Sequence, residues 1–329
     1  MKTKIVYVLV SSDSDIYLEQ AYVSMYSLKF YMPESHIVLL TDVQSEKTFV
    51  GIRKQELKYV DELVTVDLGG ECLTAQQRSR LLKTGVRLYV TGDFLFVDCD
   101  TIITRPLKDV DDIDADIAAC WDSHALLHES PQYLKVIKDC REIGVNVQEE
   151  EFYFNSGVIY VRDNEITRLF YEKWQTSMKE SQKVGVNMDQ PSFAKTNIQM
   201  KHIVKRLDDV WNCELKYGIR FLKDAKIVHY LCTNHSHNKD TQFFIMNDYT
   251  VLAEIKKTGT IPLDICDTIR DPFCGIAKVT HCFAGVDVFF FETTGFHILR
   301  SLYDTRFFSF SVFVLRIINK LNSYFKIRD

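Results

Sequence analysis

A chain of 329 residues has room for one large domain or two small ones, and its 46% hydrophobic and 26% charged residues exclude a disordered chain, a collagen and a coiled coil. Forty basic against forty-five acidic side chains leave a net charge of −5, which excludes a generally basic nucleic-acid binder. With 13 glycines and 6 prolines, most residues should lie in regular elements joined by short loops.

Nine cysteines occur without a CxxC pair, so reduced thiols are expected rather than a disulfide scaffold. The N-terminal run carries no long apolar core or cleavage pattern of a signal peptide, and is read as a buried strand over Ile5–Val10. Leu18, Tyr22, Met25 and Leu28 recur at helical spacing within Asp15–Tyr31. Strands are expected at His36–Leu40 and Leu63–Val66, a single helix over Leu73–Val90, and a short buried strand at Phe94–Val97. This alternation predicts an α/β fold with one mainly parallel sheet covered on both faces. Further on, strands are expected at Ile117–Trp121, Val158–Val161 and Ile227–Tyr230, and helices at Arg168–Lys179, Asp189–Lys195 and Tyr249–Lys257. The stretch Gly259–Pro272 reads as a linker, with a boundary near Gly259. Residues 1–258 would then be the main domain, and 259–329 the linker and a C-terminal extension. Residues 285–329 hold 11 of the 41 aromatics and carry a net +2.

The sharpest local signal is Phe94-Leu95-Phe96-Val97-Asp98-Cys99-Asp100. Two carboxylates follow a buried strand, at the edge where open α/β sheets bind ligands. Residues i and i+2 point the same way, so Asp98 and Asp100 can converge. Converging carboxylates repel unless a cation lies between them, and Mg²⁺ or Mn²⁺ suits oxygen ligands. Solvated loop aspartates, or a phosphatase in which Asp98 is the nucleophile, remain alternatives. Cys99 reads as a buried filler. Arg80, Lys83 or Thr84, and Arg87 share one helical face, which is either basic and functional or merely solvated.

Together with Ser-Ser-Asp-Ser-Asp after the first strand, Tyr-Phe-Asn-Ser-Gly at 153–157, Asn-Met-Asp-Gln-Pro at 187–191 and Ile-Val-His-Tyr at 227–230, the pair resembles glycosyltransferase family 8, retaining UDP-sugar transferases of GT-A fold. The resemblance covers about residues 3–240. It implies that Asp98, Asp100 and His229 hold Mn²⁺ or Mg²⁺. It places Ser12, Asp13 and Tyr17 at the uridine, Arg80 and Ser156 on the donor, and Asn155, Asp189 and Gln190 at the sugar and reaction centre. The Lys-Pro-Trp element expected after the histidine is absent, and Lys239 or His235 would supply its phosphate contact. A zinc site of His229, Cys232, His235 and His237 matches no standard spacing. The implied function is transfer of a hexose from a UDP-sugar to an acceptor hydroxyl on a saccharide or a lipid-linked glycan, by a front-face or a double-displacement route. A protein that binds nucleotide or sugar without catalysis is the alternative.

Phe307, Phe310, Val314, Ile317, Ile318, Leu321 and Phe325 form an apolar helical face, with Arg316, Asn319, Lys320 and Ser323 opposite. Such a helix can lie in an anionic membrane interface, or pack as core. The expected location is cytoplasmic, with a peripheral site on the inner face of the membrane.

Overall fold

Successive residues of Ile5–Val10 serve two different buried faces. The computed structural model describes residues 1–69, 73–231, 245–277, 293–303 and 305–325, the side chains of 322–325 excepted. Ile5, Tyr7 and Leu9 join one apolar cluster, and Val6, Val8 and Val10 the other. Neither face meets water, so the strand is apolar throughout instead of alternating with polar residues.

In chain order the strands are β1 Lys4–Leu9, β2 Ile37–Asp42, β3 Glu62–Val66, β4 Phe94–Val97, β5 Thr101–Ile103, β6 Ile117–Trp121, β7 Phe154–Val161, β8 Val204–Arg206, β9 Cys213–Glu214 and β10 Ile227–His229. The longer helices used below are α1 Tyr17–Tyr31, α2 Ala75–Thr84, α3 Glu165–Lys183, α4 Asp189–Gln199, α5 Tyr249–Thr258, α6 Leu263–Arg270, α7 Thr294–Leu302 and α8 Phe308–Phe325. A seven-stranded sheet has the order β3-β2-β1-β4-β7-β6-β8, and a small sheet the order β5-β10-β9. In the large sheet only β7 runs antiparallel to its neighbours, β4 and β6. The chain steps outward from β1 to β3, then returns to the other side of β1 with β4. That reversal opens a crevice beyond the carboxyl ends of β1 and β4, the usual ligand position in such sheets.

Leu18, Ala21, Met25 and Leu28 of α1 cover one face of the sheet, against Leu95 and Val97. Leu82 of α2 and Phe170, Tyr171 and Trp174 of α3 cover the other, against Phe94 and Phe96. The expected mainly parallel sheet with helices on both faces is therefore present.

Two expectations need correction. The helix expected over Leu73–Val90 breaks at Gly85, into α2 and a single turn at Val86–Tyr89. Gly85 lies close to α3, where a Cβ would come 2.5 Å from the amide end of the Gln175 side chain. The stretch Gly259–Pro272 is not a linker: α6 buries Ile265 and Ile269 completely or nearly so, in a cluster with Tyr22 and Val23 of α1. Tyr22 Oη donates to Gly259 O (3.1 Å) and Tyr31 Oη to Ile269 O (2.8 Å). The chain divides into units Met1–Val279 and Thr280–Asp329, so the boundary falls later than Gly259. In the second unit α7 and α8 contact one another, and Phe307, Phe310, Phe313, Ile317, Ile318 and Leu321 are exposed. No helix among the described residues is long and apolar enough to cross a membrane.

Candidate active site

At Val97 the chain leaves the sheet, and Asp98 N donates to Gly157 O of the neighbouring strand (2.8 Å). Thr101 Oγ1 donates to Asp98 O (2.9 Å), closing a tight turn that carries Asp98 and Asp100 past the sheet edge. The short strand β10 pairs with β5, bringing His229 opposite Thr101. His229 Nε2 lies 3.3 Å from Asp100 Oδ1 and 3.9 Å from Asp98 Oδ2. One donor atom from each of the three residues falls within 4.8 Å of the others. The ring packs so tightly on β7 that a Cβ at Gly157 would sit 2.3 Å from His229 Cε1.

Helix α2 brings positive charge to this group. Its start is set by a capping box, with the Thr74 hydroxyl accepting from Gln77 N and Gln77 Oε1 accepting from Thr74 N. Arg80 and Lys83, three residues apart, then share a helical face. Arg80 Nε is 3.1 Å from Asp189 Oδ1. Lys83 Nζ is 3.0 Å from Asp189 Oδ2, and 3.2 and 3.3 Å from the two Asp98 oxygens. Ser156 Oγ donates to Asp189 Oδ2 at 2.6 Å. Trp174 Nε1 donates to Ser192 Oγ (3.1 Å) and Asp189 O (3.3 Å), anchoring the first turn of α4. The N-cap of α4 is Met188, and Asp189 is its first helical residue. The Asp189 carboxylate faces the cations.

The electrostatics follow from this packing. Burial works against ionisation of Asp189, but Lys83 and Arg80, with the Ser156 hydrogen bond, outweigh it and hold the carboxyl far below the usual range. Burial raises Asp98, and the neighbouring Asp100 charge adds to this while Lys83 and His229 relieve it. Burial pulls His229 down, but the Asp100 and Asp98 carboxylates raise it overall. Burial, Asp98 and Asp100 push the Cys99 thiol well up, which keeps it protonated; its Sγ contacts Val8 O at 3.3 Å.

A cavity of about 620 Å³ opens at this edge. Of the residues singled out in the sequence, Tyr17, Arg80, Asp98, Asp100, Asn155, Ser156, Asp189, Gln190 and His229 line it. Ser12 and Asp13 do not. Ser12 N and Oγ both donate to Asp15 Oδ2 (2.7 and 2.8 Å), and the largely exposed Asp13 side chain lies 3.7 Å from Arg53 Nε. Arg87 is also remote: its guanidinium donates to Gly92 O, pairs with Asp163 at 3.1 Å and stacks on Phe94. Lys239, Cys232, His235 and His237 lie outside the described residues. Sequence reasoning undervalued Lys83, whose spacing from Arg80 was the available signal, and missed Asp122 and Asn212. Gln190 Nε2 donates to Asp122 Oδ1 (2.7 Å), as does Asn155 Nδ2 (3.1 Å).

No curated protein matches the chain. Among solved structures, the galactosyltransferase LgtC, in complex with donor and acceptor sugar analogs, is 16% identical with a TM-score of 0.53, over 79% of this chain and 98% of that one. Apo mouse xyloside xylosyltransferase 1 is 14% identical with a TM-score of 0.48, over 70% and 98%. The likeness to LgtC is one of fold, and the mixed, mainly parallel sheet flanked by helices is of GT-A type. Residues 77–257, more than half of the chain and the stretch from Arg80 through His229, match the family of nucleotide-diphospho-sugar transferases, and the chain belongs to that family of glycosyltransferases.

Proposed function

We propose that this transferase moves a hexose from a UDP-sugar to an acceptor hydroxyl with retention of configuration, aided by Mn²⁺ or Mg²⁺ held by Asp98, Asp100 and His229. The observation that carries the reading is the meeting of this three-donor set with Arg80 and Lys83 in one cavity. The donors fit such an ion. The Asp100 charge raises the proton affinity of Asp98, converging carboxylates call for a cation, and oxygen donors with one imidazole suit Mn²⁺. When bound, the ion supplies positive charge to the diphosphate oxygens of the leaving group. Arg80 and Lys83 add preorganised cations that need no rearrangement as that charge develops. Tyr17, at the start of α1, is assigned to the nucleoside side. Ser156 is assigned to the donor, and Gln190 keeps its Oε1 for a sugar hydroxyl while its amide nitrogen rests on Asp122.

Asp189 is engaged at both oxygens, by Arg80 on one and by Lys83 and Ser156 on the other. A carboxylate so clamped makes a poor nucleophile but a good fixed charge beside a positive sugar ring. This supports the front-face route. The bond from the anomeric carbon to the UDP oxygen breaks, the acceptor oxygen bonds on the same face, and its proton passes to the leaving phosphate.

The C-terminal unit is assigned to an anionic membrane surface, which would set the enzyme on the inner membrane face beside a lipid-linked acceptor. Exposed Phe307, Phe310 and Phe313, with Arg306, Arg316 and Lys320, support that assignment.

The test is a panel of UDP-sugars with Mn²⁺ or Mg²⁺, following UDP release and the anomer formed. Release from one hexose donor that chelation abolishes is expected. No release from any donor, together with UDP binding indifferent to chelation, refutes the reading.

A further inference from the structure

Building on the assignment of Asp98, Asp100 and His229 to a metal, we infer that Asp122, Asn155 and Asn212 form a directional hydrogen-bond chain that positions His229. The chain turns the Nε2 lone pair of His229 toward the two aspartates, and the same Asp122 holds Gln190 on the sugar side.

Each link is fixed by the one before it. The backbone N–H of Gly157 can only donate, so the side-chain atom of Asn155 that lies 2.7 Å from it must be the oxygen. The Asn155 amide nitrogen then faces Asp122 Oδ1, an acceptor, at 3.1 Å. Asn155 Oδ1 also lies 3.0 Å from the Asn212 amide, which must present its nitrogen there. Asn212 Oδ1 is left facing His229 Nδ1 at 2.9 Å. An acceptor in that position calls for the hydrogen on Nδ1, which in the neutral ring leaves the lone pair on Nε2, the atom that faces Asp98 and Asp100, against the pull of those carboxylates for a hydrogen there. Asn155, Asn212 and His229 are at most 3% exposed, so water offers no competing partner.

Asp122 itself is held firmly. Ser123 Oγ donates to its second oxygen (3.0 Å), and Ser123 and His124 both adopt positive φ (59° and 55°) to form the turn. Strain at two consecutive non-glycine residues persists only where the surroundings enforce it. Asp122 Oδ1 accepts from both Asn155 and Gln190, so the metal side and the sugar side of the cavity share one anchor. These are positioning residues: they act on the site through His229 and Gln190.

The test uses the full chain and two readouts. The first is the imidazole ¹⁵N spectrum of His229 in metal-free protein at alkaline pH, where the ring is neutral. Wild type is expected to show hydrogen on Nδ1, and Asn212→Leu, which cannot accept, a shift toward hydrogen on Nε2, where Asp98 and Asp100 accept. The second is Mn²⁺ affinity by electron paramagnetic resonance. Asn212→Leu should lose roughly 10–100-fold, the usual cost of removing a ligand's orienting partner. Asn155→Asp should also weaken Mn²⁺ binding, because it sets a second carboxylate against Asp122. Adding Asp122→Asn to Asn155→Asp rebuilds the chain with donor and acceptor exchanged. That pair should recover Mn²⁺ affinity but not sugar transfer, because Gln190 then meets an amide N–H. Wild-type hydrogen on Nε2, or a pair of exchanges no better than Asn155→Asp alone, overturns the inference. Wild type that binds no Mn²⁺ refutes the metal assignment, while the tautomer spectrum still decides the chain. Should Asn212→Leu fail to fold, the wild-type spectrum and the exchanged pair suffice.

Discussion

Replacing Lys83 with methionine keeps most of the apolar stem of the side chain and removes its charge. The ammonium is 3% exposed and lies within 3.3 Å of oxygens from both Asp98 and Asp189. Removing one partner of a buried ion pair costs about 3–5 kcal/mol, because the other charge stays buried. Two features lower that figure here. Arg80 still pairs with the other Asp189 oxygen at 3.1 Å, and the Asp98 side chain is 26% exposed, so solvent screens its share. A loss of about 2–3 kcal/mol is expected. The assay is urea unfolding with chelator present, so that metal occupancy does not differ between variants. The midpoint should fall with little change in slope. The sign reverses for metal affinity: Lys83 is a cation beside an assigned ligand, so Lys83→Met should bind Mn²⁺ more tightly in the absence of nucleotide. Turnover should nevertheless drop, because a fixed cation facing the diphosphate is gone. A variant as stable as wild type, or one that binds Mn²⁺ more weakly, would refute the charge-balance reasoning.

Gly157→Ala places a methyl 2.3 Å from His229 Cε1, so the buried ring, held by Asn212 at Nδ1, must shift from its place beside Asp98 and Asp100. Mn²⁺ affinity, read by paramagnetic resonance, should fall by at least about tenfold, in line with the loss of an oriented ligand; unchanged affinity would separate His229 from the metal. Away from the site, burial and the nearby Glu19 charge push Glu56 up to about 8, with Arg53 and Lys256 offsetting only part. The folded chain thus binds this proton more tightly than the unfolded chain, and the stability it contributes is full below the ordinary glutamate range and lost as pH rises toward about 8. The loss is at most about 1.4 kcal/mol per pH unit before solvent screening. Glu56→Gln should flatten the decline in denaturant midpoint across that window; an equal decline in both proteins counts against it. In the C-terminal unit, reversing Arg306, Arg316 and Lys320 to glutamate should abolish sedimentation with anionic liposomes, since each basic residue near such a surface contributes about 1 kcal/mol. Wild type that ignores the liposomes refutes the membrane assignment.

Much of this molecule is legible locally. The apolar runs of β1 and β4, and the two aspartates after Val97, follow from side-chain type and strand period alone. So does the shared face of Arg80 and Lys83, because residues three apart on a helix are neighbours wherever the helix lies. The ordered motifs also single out Tyr17, Arg80, Ser156, Gln190 and His229, which the fold brings to one cavity. The rest depended on partners distant in the chain. Arg87 continues the Arg80 face by spacing, yet the helix breaks at Gly85, and Arg87 meets Gly92 and Asp163 instead. Residues 259–272 have a linker's composition, but α1 offers Tyr22 and Val23 as a surface on which Ile265 and Ile269 can be buried. Asn155 reads as a sugar-facing amide, while in the fold both ends of its amide are taken by Asp122, Gly157 and Asn212. Periodicity determines which way a side chain points along its own element; what it meets there is decided by other segments, whose approach no local pattern encodes.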